Sequence, residues 1–318
     1  MKEGRMRVAV MMSVYNGGQY LDEQLASIFS QSVGVENIGL FIRDDGSTDG
    51  SREIIERWGR KMSIHYERGD NLGPARSFWR LMQNSRISAD YYALADQDDL
   101  WDGTKLERAV SVIENVEKKI QNAEELLLYY SNARLVDARG RDLQATEITD
   151  DQEITVARIL AGFPAIGCTM VFNRGVKRLL EESQIRIIEM HDKTLALMVQ
   201  TLGQIIYDPL PTMRYRQHDR NVVGRRFEDH GGHFLKRMSS AGVRWFRNRK
   251  ICPSKQAAEL LEHYGDYMSD ADRKTLIDFS TYRKRLKAAK SLWENREVAT
   301  LPSAVRRSFK MRLILRLL

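Results

Sequence analysis

The first hundred residues alternate between short apolar runs and amphipathic stretches. Val8-Ala9-Val10-Met11-Met12-Ser13-Val14 is nearly continuous apolar sequence, the pattern of a strand buried on both faces. Tyr15-Asn16-Gly17-Gly18 reads as a turn, after which Leu21, Leu25, Ile28 and Phe29 recur at helical spacing. Ile38 to Ile42 predicts a second strand, and a helix through Ile54, Ile55 and Trp58 follows a polar loop. Met62 to Tyr66 predicts a third strand. Pro74 fits the first turn of a helix carrying Phe78, Leu81 and Met82, and Tyr91 to Ala95 predicts a fourth strand. Strands alternating with helices imply an α/β fold with a mostly parallel central sheet flanked by helices. Ligands of such sheets bind beyond the carboxyl ends of the strands. Polar clusters follow three of the predicted strands: Tyr15-Asn16, Asp44-Asp45 and Asp96-Gln97-Asp98-Asp99.

Beyond Trp101 the pattern is mixed. Lys105 to Lys119 predicts a helix, Leu126 to Val136 one or two strands, Gly167 to Phe172 a strand and Lys193 to Leu202 a helix. Ile205 to Asp208 and Thr212 to Arg216 predict two short strands around Pro209 and Pro211. From about Arg225 the sequence turns helical and basic. We therefore expect two regions, 1–224 and a helical extension over 225–318. Charge sharpens the division: the net charge of +7 is the sum of −5 over residues 1–224 and +12 over 225–318. An acidic body with a basic tail suggests that the tail meets an anionic surface or partner.

At 42% hydrophobic and 29% charged, the composition excludes wholesale disorder and fibrous architectures. No apolar run reaches the 18 or so residues of a membrane span. Lys2, Arg5 and Arg7 before Val8–Val14 imitate a short signal peptide, but no small-residue cleavage site follows, so none is expected. Cys168 and Cys252 do not make a disulfide framework and lack zinc-site spacing, which fits a reducing cytoplasm.

The acidic clusters carry the candidate chemistry. Three carboxylates in Asp96-Gln97-Asp98-Asp99 suit a hard cation such as Mn²⁺ or Mg²⁺, or equally an acidic turn capping the next helix. Asp44-Asp45-Gly46-Ser47-Thr48-Asp49 is either an ordinary turn or a site accepting hydrogen bonds from a base or sugar. There is no Gly-rich phosphate loop, so a bound nucleotide's phosphates would be held by metal. Asp192 is either a helix cap or a general base. His218 closes the acidic body just before the charge changes sign.

Together with Asn71-Leu72-Gly73, Gly167-Cys168-Thr169-Met170, His191-Asp192 and Tyr215 to Gly224, these segments resemble a family 2 glycosyltransferase with the GT-A fold, over about residues 6–224. Within that family they are similar to the bacterial rhamnosyltransferase-like subgroup that builds surface polysaccharides. The resemblance implies inverting, metal-dependent transfer of a sugar from a nucleotide diphosphate, L-rhamnose from dTDP-rhamnose or a hexose from UDP. The implied acceptor is a surface polysaccharide or lipid-linked oligosaccharide. It places Ser13, Tyr15, Asn16, Asp44, Asp45, Asn71, Gly73, Arg76, Asp96, Gln97 and Asp98 around the nucleotide sugar. Asp98 and His218 then hold Mn²⁺ or Mg²⁺, Asp192 is the base, and Asp99 and His191 are supports. His191 stands where the wider family has Glu, and Lys193 and Thr194 replace the subgroup's aromatics, which leaves the acceptor sugar open.

In the tail, Val305, Phe309, Leu313 and Leu317 repeat every four residues among basic side chains. Such a helix either lies in a membrane interface or packs on the body. The first option would hold the enzyme at the inner face of the cytoplasmic membrane. A nucleic-acid-binding module is disfavoured, because acidic strand ends repel phosphate. A metal-dependent phosphohydrolase or nucleotidyltransferase, or a catalytically inactive relative, remains an alternative.

Overall fold

Six of the seven residues of β1 (Val8–Val14) are buried, which demands cover on both faces of the sheet. A computed structural model describes residues 8–122, 125–146, 154–162, 166–218 and 253–316. The elements that follow β1 are α1 (Leu21–Phe29), β2 (Ile38–Asp44), α2 (Ser51–Trp58), β3 (Ile64–Arg68), α3 (Pro74–Gln83), β4 (Tyr91–Ala95) and the short β5 (Leu100–Trp101). Next come α4 (Lys105–Ile120), β6 (Leu127–Val136), β7 (Asp142–Thr146), α5 (Val156–Ala161), β8 (Met170–Asn173), α6 (Arg174–Glu182), α7 (His191–Leu202) and β9 (Gln204–Arg216). The sheet order is β3-β2-β1-β4-β8-β6-β9-β5, with β7 paired to β6. β3, β2, β1 and β4 are parallel, as is the β6–β9 pair, while β8 runs antiparallel to both neighbours.

Alternate residues of a strand face opposite sides, so Val8, Val10, Met12 and Val14 pack with α1, α2 and α4. Ala9 and Met11 face a second core built from α3, α5, α6 and α7. The helical extension joins that second core. Its helices are α8 (Pro253–Tyr264), α9 (Asp270–Thr281), α10 (Leu286–Trp293), α11 (Arg296–Ala299) and α12 (Ser303–Ile314). They contribute Leu260, Phe279, Leu292, Phe309 and Leu313 to it. Arg312 Nη2 donates to the Ala161 carbonyl of α5 at 2.7 Å, and Gln256 Nε2 to Thr194 Oγ1 of α7 at 2.8 Å.

Five sequence expectations change. The two short strands around Pro209 and Pro211 are one strand, β9, whose register against β6 shifts at Ser131–Asn132; prolines are tolerated where a ladder is interrupted in this way. Gly167–Thr169 is a 3₁₀ turn feeding β8 rather than part of the strand. The third strand starts at Ile64, and α7 starts at His191. In the basic tail, Phe309 and Leu313 face the core, so that stripe packs on the body and is not free to enter a membrane. Leu317 and the expected boundary near residue 224 lie outside the described residues.

Candidate active site

The three polar clusters leave the sheet side by side, because β2, β1 and β4 are adjacent and parallel. β8 runs antiparallel to β4 and therefore brings Gly167 and Cys168 to the same edge. β9 ends there with Arg216, and His218 follows.

In the first group the acidic side chains are engaged by the chain itself. Asp44, 1% exposed, accepts hydrogen bonds from the Ser47 N–H and the Tyr66 hydroxyl, each at 2.7 Å. Burial pushes its carboxyl up, but hydrogen bonds from Ser47 and Tyr66 outweigh this and hold it below its ordinary value. Asp45, 2% exposed, pairs with Arg43 and accepts the Leu72 and Gly73 N–H groups at 3.0 and 2.7 Å. Gly73 sits at φ +77°, a left-handed conformation that favours glycine, and so presents its N–H to Asp45. Asn71 Oδ1 accepts the same Gly73 N–H at 3.1 Å. Ser13 Oγ donates to Ser77 Oγ at 2.6 Å, and Arg43 also reaches Ser77 Oγ, so strand and helix are tied beneath the loop. Asn16 accepts the Thr48 N–H at 2.9 Å and donates its own N–H to Ser47 Oγ at 3.0 Å. Gln97 bridges to the Tyr15 backbone in both directions, at 2.9 and 3.2 Å. Asp44 and Asp45 thus shape the loops, and the exposed groups beside them are Tyr15, Asn71 and Arg76.

In the second group the carboxylates face one another. Asp98 Oδ2 lies 2.8 Å from His218 Nε2, and the His218 ring stacks on Tyr20 with centroids 5.0 Å apart. Asp192 lies in the first turn of α7, with Met190 at the N-cap, so it is not the cap itself. Its Oδ1 accepts the Lys193 N–H at 2.7 Å and its Oδ2 the Gly167 N–H at 3.2 Å. A side chain at Gly167 would bring a Cβ to 2.7 Å from His191 Nε2 and 3.3 Å from Asp192 Cβ, so only glycine permits this approach. Burial, with Asp98 and Asp192 nearby, pushes the Asp96 carboxyl up to about 7. Asp99 is fully buried, and burial together with Asp98 and Asp96 raises it well above its usual value.

His191 is buried, stacked on Phe78 at 4.1 Å, and burial lowers its pKa; the neutral ring anchors the Asp192 turn against α3. It supports the site without facing it.

Three further residues belong to the site although no sequence pattern assigns them a role there. Arg216 is buried and binds the Asp98 carbonyl (2.8 Å), the Ala138 carbonyl (3.1 Å) and Glu23 (2.6 Å), while its N–H donates to Asp99 Oδ1 at 3.1 Å. It clamps the Asp98-Asp99 turn from behind. Cys168 lies between Asp96 and Asp99, the three ligand atoms all within 4.8 Å of one another. Lys105 is completely buried near this group, and its Nζ finds no acceptor among the described residues. Burial pushes Lys105 down to about 8, against the opposing pull of Cys168 and Asp99.

The donor set tests the implied metal. Two cis ligands at octahedral Mg²⁺-type distances sit about 3 Å apart. The 2.8 Å between Asp98 Oδ2 and His218 Nε2 fits that spacing, and the carboxylate suits Mn²⁺ or Mg²⁺, the imidazole favouring a transition metal such as Mn²⁺ over Mg²⁺. The Asp96–Asp99–Cys168 group suits a hard cation less well because it includes a thiol and two fully buried side chains.

Residues 9–121 match the family model described as glycosyl transferase family 2. The chain is 29% identical over 258 residues to dTDP-rhamnosyl transferase RfbG of Shigella flexneri, covering 74% of this chain and 81% of that protein. Its fold is similar to that of S. aureus TarS residues 1–349 solved with UDP-GlcNAc, with a TM-score of 0.59 at 17% identity over 97% of this chain and 89% of that one. It is also similar to the mannosyltransferase PcManGT of Pyrobaculum calidifontis, solved with GDP-Man and Mn²⁺. There the TM-score is 0.50 at 17% identity, over 98% and 86% of the two chains. The mixed α/β sheet with helices on both faces is thus the GT-A fold, with a helical C-terminal part.

Proposed function

We propose that this chain is an inverting, metal-dependent glycosyltransferase of family 2. It transfers a sugar from a nucleotide diphosphate to a surface-polysaccharide or lipid-linked acceptor. The observation that carries the reading is the convergence of Asp98 and His218 at 2.8 Å beside the mutually repelling Asp96 and Asp192, all at one sheet edge. Asp98 and His218 would hold the cation, which, when bound, neutralises charge on the departing diphosphate. Tyr15, Asn71 and Arg76 line the nucleotide's approach, and Asp96 faces the sugar-nucleotide. Asp192, held by two backbone N–H groups, takes the proton from the attacking acceptor hydroxyl. Arg216 and the Gly167 turn fix the two ends of this arrangement, so the barrier falls mainly through positioning.

Similarity to a dTDP-rhamnosyl transferase favours dTDP-rhamnose as donor, with a UDP-hexose as the second candidate. The test is thermal stabilisation by dTDP, UDP and their sugars, each with and without Mn²⁺, since a ligand of the folded state raises Tm. A Mn²⁺-dependent shift with dTDP-rhamnose is expected. A preference for UDP sugars would replace the donor, and no shift with any nucleotide would overturn the reading.

Among the described residues, no helix is long and apolar enough to cross a membrane. Peripheral contact with anionic lipid is part of the proposal, but its apolar groups are not the expected stripe. They are Met311, Ile314 and Leu315, which are 55%, 67% and 57% exposed, beside Lys310 over the Trp293 ring. Replacing those three with Ser should release the protein from anionic vesicles without opening the core; undiminished vesicle binding would remove the membrane from the proposal.

A further inference from the structure

A second concavity lies beside the segment that carries Asp192. A cleft of about 670 Å³ runs along α3 from Arg76 to Arg86, and Glu67, Trp79, Arg80 and Ile188 also line it. Arg76 and Arg80 share one helix face at i and i+4, and Arg86 follows just past the helix end. Arg80 pairs with Glu67 at 3.1 Å. Arg76 and Arg86 form no ion pair among the described residues, so two guanidinium groups remain uncompensated. Trp79 is 4% exposed, and its indole Nε1 donates to nothing among the described residues. Two unpaired forks and a buried unused donor in one cleft describe a site for oxyanions.

The cleft is rigidly related to the candidate base. Ile188 stands four residues before Asp192. Glu259 of α8 pins the residues just before Ile188 by accepting the Arg186 and Ile187 N–H groups, both at 2.8 Å. The Phe78–His191 stack fastens α3 to the first turn of α7. The donor's diphosphate does not account for the whole cleft, because its lining continues from Arg76 along α3 to Arg86, past the helix end at Gln83.

We propose that this cleft holds acidic groups of the acceptor, a glycan bearing carboxylate or phosphodiester groups laid along α3 with its reactive hydroxyl toward Asp192. The proposal rests on the glycosyltransferase reading and adds the acceptor's chemical class.

The test measures binding of three probes to the full chain at low salt: an oligogalacturonide, a glycerol-phosphate oligomer and a neutral malto-oligosaccharide. Binding of nucleoside diphosphate with Mn²⁺ is measured in parallel. At least one acidic probe is expected to bind about tenfold more tightly than the neutral one, and the tighter of the two acids names the oxyanion. Arg86→Gln should weaken that probe by about fivefold, and Arg86→Glu by more, with nucleotide affinity and Tm unchanged. No acidic preference, or indifference to both Arg86 variants, would overturn the proposal. Loss of nucleotide binding by the wild-type chain would instead overturn the enzyme reading, while Arg86-dependent acid binding would still support the cleft.

Discussion

Acidic loops at one sheet edge are built here in two opposite ways. At Asp44, Asp45 and Asp49 the carboxylates are matched by donors from the chain itself. Ser47 and Tyr66 serve Asp44, Arg43 and two N–H groups serve Asp45, and Ser51 and Gly18 serve Asp49. Asp96 and Asp99 instead face other carboxylates, with Asp98 beside both and Asp192 near Asp96, and are pushed up by burial and by these neighbours. The same residue type is architectural where its hydrogen bonds close within the chain. It is poised for an external cation where they do not.

The comparison is broken most sharply at Asp192. Asp192→Asn keeps the shape and one of the two backbone contacts but removes the base, so turnover should fall by about 10²–10⁴ with nucleotide affinity unchanged. Normal turnover, read as release of nucleoside diphosphate, would return Asp192 to the architectural class. In the first group, Arg43→Met leaves the buried Asp45 without its counter-charge and should cost about 3–5 kcal/mol of unfolding free energy. Urea denaturation measures it, and an unchanged midpoint would show that Asp45 does not depend on that pair. Asp98→Asn is milder: Mn²⁺-dependent nucleotide affinity should fall by about 10–100-fold with little change in Tm. Equal loss with and without Mn²⁺, in a titration of nucleoside diphosphate, would place Asp98 on the nucleotide rather than the metal.

Much of this division was legible at the level of elements. The apolar run Val8–Val14 and the helices at 21–29 and 74–83 follow from periodicity, and their order fixes which loops share an edge. What periodicity does not reveal is which carboxylates are already satisfied. Arg43, a basic residue at the end of an otherwise apolar strand beside Asp44-Asp45, was the available signal for a buried pair. Arg216 and Cys168 gave no such signal: their neighbours at the site come from the loop after β4, at least 69 residues away. The tail shows the same limit in another form. Its apolar spacing was correct, but spacing does not say whether Phe309 meets lipid or Phe279, and the structure places those two rings 6.0 Å apart.

The smallest effect isolates the two groups by pH. Asp96 has a native pKa of about 7 against 3.8 unfolded, so the native state holds a proton that the unfolded chain has already released. Where the native state binds more protons, stability falls as pH rises, here between about 4 and 7. Asp44 and Asp49, lowered in the native state, lose their contribution only below their ordinary value and so stay outside this window. His191, buried and neutral, slopes the other way near its own lowered pKa. Its contribution is common to chelated and Mn²⁺-loaded protein, so the difference between those two states reports the groups that meet the cation. A cation favours their ionised forms, so the Tm gain from Mn²⁺ should be near zero at pH 5 and grow to a few degrees by about pH 7.5. A gain independent of pH would mean that the cation draws neither on Asp96 nor on any other group that exchanges a proton over this range.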